Sequence, residues 1–117
     1  MIPSVSYSVF MTNTACTPEL LSFPLGPVET NCFILSVPSG PDPRGCYLID
    51  CGMEPEPLLD EVARLELEPR GLLLTHCHYD HIGGIEQLIE RFGSMPIWVH
   101  PIESEWNRDP MLNLSGM

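Results

Sequence analysis

Lysine is absent from this chain, and five arginines stand against sixteen acids, for a formal net charge of −11. A phosphate backbone is bound by clustered Lys and Arg, so nucleic acid is not expected as a partner. The acidity reads instead as a solvated surface. Also missing is any apolar run near the ~18 residues that span a bilayer. Met1 to Thr17 holds no basic residue, and Ser4, Ser6, Ser8, Thr12, Asn13 and Thr14 interrupt its apolar positions. A secretory signal needs a basic start and an apolar centre, and a transit peptide needs arginines. The expected compartment is the cytosol, without membrane association. No CxxC pair occurs, and Cys16, Cys32, Cys46, Cys51 and Cys77 make an odd count of five. That is poor material for a disulfide framework and suits a reducing compartment, where most would be small buried hydrophobes.

What remains is enough for one small domain: 117 residues, 44% of them apolar, with a modest core. Residues 1–18 read as an irregular leader rich in Ser and Thr, with Met1 and Met11 both candidate starts. From residue 19 the pattern turns regular. Leu20–Leu25, Asn31–Val37 and Cys46–Asp50 read as strands, the last two separated by the turn cluster Pro38–Gly45. Acids and prolines at Glu54–Pro57 then open a helix whose apolar positions Leu58, Leu59, Val62 and Leu65 recur at helical spacing, with Pro69 expected to stop it. Gly71–Thr75 reads as a buried strand. Ile85, Leu88, Ile89 and Phe92 mark a second amphipathic helix closed by Gly93. Pro96–His100 reads as a further strand, Pro101–Asn107 as a helical turn, and Asn113–Met117 trails off. The order predicts an α/β fold, a mixed sheet with covering helices.

The chemistry is concentrated after the buried strand. His76, His78, Asp80 and His81 put four metal-ligand side chains within six positions, followed by Gly83-Gly84. Neutral imidazole is the commonest zinc ligand, and carboxylate oxygen is the next choice for a hard or borderline cation. The His-x-His spacing lets His76 and His78 point the same way in extended backbone. Asp80 and His81 follow where the chain turns into the helix, and two such pairs suit two neighbouring ions. The glycines permit the sharp turn. Cys77 points away from both histidines in extended backbone and is better read as a packed thiol beside the site. A structural zinc site would be expected to recruit paired cysteines.

The run Thr75-His76-Cys77-His78-Tyr79-Asp80-His81-Ile82-Gly83-Gly84 resembles the hallmark Thr-His-x-His-x-Asp-His-x-Gly-Gly of the metallo-β-lactamase superfamily at every position. Glu29-Thr30-Asn31-Cys32 and Leu48-Ile49-Asp50-Cys51-Gly52 are similar to its glyoxalase II-like (hydroxyacylglutathione hydrolase-like) branch. The resemblance runs from about Leu20 to Met117. It implies that residues 19–117 are the N-terminal half of an αββα sandwich, incomplete because the third histidine, bridging aspartate and final histidine of the family lie downstream. It also implies that His76 and His78 ligate the first metal, Asp80 and His81 the second, with Asp80 further able to hold a catalytic water. Asp50 would orient a ligand or hold the loop, or else cap local backbone, and Thr75 would hydrogen-bond within the loop. His100 reads as structural.

The cofactors implied are two zinc ions, with iron or manganese as alternatives. The resemblance points to hydrolysis of a small-molecule thioester such as S-acyl-glutathione, through a water activated by the two cations. That chemistry agrees with the lack of a Ser-His-Asp or activated-Cys arrangement. A mononuclear iron persulfide dioxygenase-like enzyme and an inactive fragment or binding module are the alternatives. Alone, residues 1–117 are expected to be inactive. Substrate identity and oligomeric state are not specified by the sequence.

Overall fold

In a computed structural model the described residues are 5–8, 16–75 and 78–101. Six strands form one sheet in sequence order: β1 (Val5–Ser8), β2 (Glu19–Leu25), β3 (Thr30–Ser36), β4 (Gly45–Ile49), β5 (Glu68–Leu73) and β6 (Ile97–Trp98). The first four pair antiparallel, while β4–β5 and β5–β6 pair parallel. Antiparallel neighbours need only a turn, whereas parallel neighbours need a crossover. The helices sit in those two crossovers: α1 (Glu56–Arg64) joins β4 to β5, and α2 (Tyr79–Ile82) with α3 (Ile85–Phe92) joins β5 to β6.

Alternation along the strands decides which face is buried. Phe23 and Leu25, Cys32 and Ile34, Cys46 and Leu48, and Leu72 and Leu74 are buried together with Leu58, Leu59, Val62 and Leu88 of the helices. Each such large side chain contributes on the order of 1.5–3 kcal/mol of burial. The opposite face carries Leu35, Tyr47, Leu73 and Trp98 around an open groove of about 440 Å³. The Trp98 ring lies over Gly71, where a Cβ would collide with it, and its centroid is 6.1 Å from that of Tyr47.

Three expectations are corrected. The stretch read as an irregular leader supplies β1, which pairs with Glu19–Ser22 of β2. Its Val-Ser-Tyr-Ser run does alternate, but over only four residues amid other Ser and Thr, too short to stand out by itself. The first helix does not run to Pro69. It ends at Arg64, Glu66 takes a left-handed φ of 55°, and Pro69 lies inside β5. Proline is tolerated there because the β4–β5 register shifts between Cys46 and Tyr47, and a bulge relieves the ladder of one donor. The strand expected over Pro96–His100 is reduced to Ile97–Trp98. The helical turn read over Pro101–Asn107 and the tail Asn113–Met117 lie outside the described residues, apart from Pro101.

A candidate metal centre at the ends of the parallel strands

The parallel strands β4 and β5 both run toward the same end of the sheet, the edge where α/β proteins gather their ligands. Asp50 is the first residue past β4. Its N–H continues the ladder by donating to the Leu73 carbonyl at 2.9 Å, yet its φ is 61°. Left-handed backbone is uncommon outside glycine, with Asp and Asn the favoured exceptions. The buried Asp50 carboxylate accepts from the Thr75 backbone N–H through Oδ1 at 2.8 Å and from Thr75 Oγ1 through Oδ2 at 2.6 Å. His81 Nδ1 meets the same Oδ2 at 2.7 Å. One side chain therefore ties the start of the motif loop to its far end.

His81 sits in the single turn of α2, and backbone bonds fix that turn against β4. Cys51 N–H donates to the His81 carbonyl at 2.8 Å, and Gly84 N–H donates to the Cys51 carbonyl at 2.9 Å. The approach requires glycine on both sides. A Cβ on Gly52 would lie 2.6 Å from the Asp80 carbonyl oxygen, and one on Gly84 would collide with the Gly52 carbonyl. With Nδ1 facing Asp50, the other ring nitrogen, Nε2, stands 3.3 Å from Asp80 Oδ2. Thr30 Oγ1, at the start of β3, donates to that Oδ2 at 2.8 Å. A cleft of about 370 Å³ lined by Val28, Met53, Tyr79 and Asp80 opens beside the pair.

The donor set fits a divalent cation. Asp50 already accepts from Thr75, so a neutral His81 donates Nδ1–H to it and turns the Nε2 lone pair toward Asp80. Ligand atoms around a tetrahedral zinc with bonds of about 2.0 Å are about 3.3 Å apart, which is the Nε2–Oδ2 separation found here. Among the described residues no three His, Cys, Asp or Glu side chains converge as a metal cage. His78 lies in extended backbone at the entry to α2, and its carbonyl accepts from the His81 N–H at 2.8 Å. His76 and Cys77 lie outside the described residues. His100 follows β6 and is exposed.

The buried cysteines next to this site are held neutral. Burial pushes the Cys32 and Cys51 thiols up to about 12, the nearby Asp50 carboxylate adding to both. Neither is disposed toward thiolate nucleophile chemistry. Thr30 is the polar contact that the motif does not flag. Its partner is 50 residues away, and the only local sign was its place in Glu29-Thr30-Asn31-Cys32 at a strand start.

A mixed sheet with helices in its parallel crossovers and a His/Asp turn at the strand ends defines a metallo-hydrolase fold. The chain belongs to the metallo-β-lactamase superfamily, whose profile matches residues 25–116. A probable metallo-hydrolase of Bacillus subtilis, YqgX, is 33% identical over 94 residues, which is 80% of this chain and 42% of that protein. A hydroxyacylglutathione hydrolase of Shewanella pealeana is 60% identical over 35 residues, 30% of this chain and 13% of that one. Among solved structures, the BLEG-1 B3 metallo-β-lactamase superposes with a TM-score of 0.72 at 36% identity, covering 83% of this chain and 44% of that chain. TTHA1623 in a di-iron-bound form gives 0.60 at 34% identity, covering 72% and 39%. The chain thus spans less than half the length of these relatives and corresponds to the N-terminal part of the fold. Among the described residues no helix is long and apolar enough to cross a membrane.

Proposed function

We propose that this chain is the N-terminal, metal-holding part of a metal-dependent hydrolase acting on a thioester such as S-acyl-glutathione in the cytosol. The observation that carries the metal assignment is the chain of contacts Asp50–His81–Asp80, in which one carboxylate fixes an imidazole and the imidazole faces a second carboxylate. The thioester assignment is supported by the 60% identity over 35 residues to a hydroxyacylglutathione hydrolase. His76, His78, Asp80 and His81 are assigned as ligands to zinc, with iron a second candidate because a similar solved chain is described as di-iron-bound. Such ions supply Lewis acidity toward a carbonyl and activation of water at neutral pH. The protein's own part is to orient the donors. Asp50 holds the His81 ring and Thr75 in place, and Asp80 borders the cleft, where it can orient a water toward the substrate. Val28, Met53 and Tyr79 give that cleft an apolar wall for part of the thioester.

The test is thiol release from an S-acyl-glutathione by the full-length protein, before and after chelation and after zinc is restored. The proposal expects turnover that disappears with the metal and returns with it, while residues 1–117 alone turn over no faster than free zinc. Chelator-insensitive turnover, or none with zinc restored, contradicts it.

A further inference from the structure

We infer that Thr30 is a positioning residue for the metal pair, holding Asp80 beside His81 as Asp50 holds His81 beside Asp80. The inference rests on the reading of Asp80 and His81 as ligands to one ion. Thr30 opens β3 with its side chain turned to the covered face and only 7% exposed. A hydroxyl removed from water needs an acceptor, and the one it uses is Oδ2 of Asp80 at 2.8 Å. That is the oxygen facing His81 Nε2 at 3.3 Å, so the hydroxyl acts on the donor atom itself.

Asp80 lies in the first turn of the four-residue α2, and its carboxylate is partly exposed, at 29%. A free Asp side chain there would sample several rotamers. Thr30 is β-branched and stiff at χ1, and it is fixed in the sheet by pairing with Leu25 of β2. It therefore transmits the rigidity of the β2–β3 hairpin to a ligand on a four-residue helix. Asp50 and Thr30 have complementary tasks: the Asp50 carboxylate anchors the His81 imidazole, and the Thr30 hydroxyl anchors the Asp80 carboxylate. Outer hydrogen bonds of this kind tune metal affinity by roughly tenfold to a hundredfold.

Three substitutions separate the hydroxyl from the shape of the side chain. Thr30→Val keeps the shape and removes the donor, whereas Thr30→Ser and Thr30→Ala both lose the methyl and differ only in the hydroxyl. Zinc affinity is read by competition with a chromophoric chelator, and the Asp80 carboxyl carbon resonance is read by NMR on metal-free protein. The expected result is zinc binding weakened about tenfold to a hundredfold in Thr30→Val and Thr30→Ala, with a displaced Asp80 resonance. Thr30→Ser should retain the wild-type resonance and bind within about threefold of wild type. If Thr30→Val does not fold, the Ser and Ala pair carries the same comparison. Wild-type resonance and affinity in the variants lacking the hydroxyl overturn the inference while leaving the metal reading intact. A wild-type protein that binds no zinc overturns the metal reading, and the positioning role falls with it.

Discussion

Asp50 is where the residue-scale account is most exposed to test. Three donors meet its two oxygens: Thr75 N–H, Thr75 O–H and His81 Nδ1–H. Asparagine has the same shape but would turn an NH₂ toward one of them. Asp50→Asn is therefore expected to cost about 1.5–3 kcal/mol, the range for a buried hydrogen bond to a charged group. Thermal denaturation checks it, and an unchanged midpoint would show that Asp50 does not hold the loop. The residues of this cluster differ in how far sequence discloses them. Asp50, Asp80 and His81 stand in recognisable local runs, so their residue types and spacing suggest a site. What those runs cannot disclose is which donors Asp50 serves, because Thr75 and His81 lie 25 and 31 residues away. The partner of Thr30 was illegible for the same reason, being 50 residues away. A threonine at a strand start is unremarkable until the fold sets a carboxylate against it.

At the scale of elements, the hairpin strands and both longer helices were legible from local pattern. Short apolar runs bounded by turn residues marked β2 to β4, and Leu58, Leu59, Val62 and Leu88 became the buried helical face. Local rules failed where tertiary context overrode them. Pro69 looks like a helix stop but sits beside a register shift in β5, and the four-residue β1 is too short for its alternation to mark it without its pairing to β2. The close packing of α2 against the end of β4 was also hidden, since a Gly52 next to Cys51 says nothing about what approaches it. This packing gives an element-scale prediction. Gly52→Ala would place its Cβ 2.6 Å from the Asp80 carbonyl oxygen, a backbone atom that cannot swing away. The expected loss is about 1–3 kcal/mol, as for an overpacked interior. Gly40→Ala meets the Val37 Cγ1 at 2.9 Å and the Val37 carbonyl oxygen only at 3.3 Å, in a partly exposed turn that can shift, and should cost less than Gly52→Ala, about 1 kcal/mol. Urea unfolding measures both, and equal losses would refute the role of the α2–β4 contact.

Across the molecule, one face of the sheet is covered by helices, and among the described residues nothing covers the other. Tyr47, Leu73, Ile97 and Trp98 keep between a third and a half of their surface exposed, an apolar concentration unusual on a free surface. The N-terminal part of an αββα sandwich has this form, with its inner face shaped for a second sheet. The paired-sheet family was legible in the sequence because a ten-residue motif specified it. The mixed sheet was likewise expected, whereas the six-strand order and its register came from the structure.

The claim on which the rest depends is that the turn from Thr75 to Gly84 gathers its His and Asp side chains around divalent ions. Anomalous diffraction at the zinc edge, from crystals of the full-length protein grown with zinc, tests it most directly. The account predicts a peak about 2.0–2.1 Å from His81 Nε2 with Asp80 Oδ2 in the same bonding shell, and a neighbouring peak bonded to His76 and His78. Zinc peaks elsewhere on the protein, with none in bonding reach of those four side chains, would contradict it.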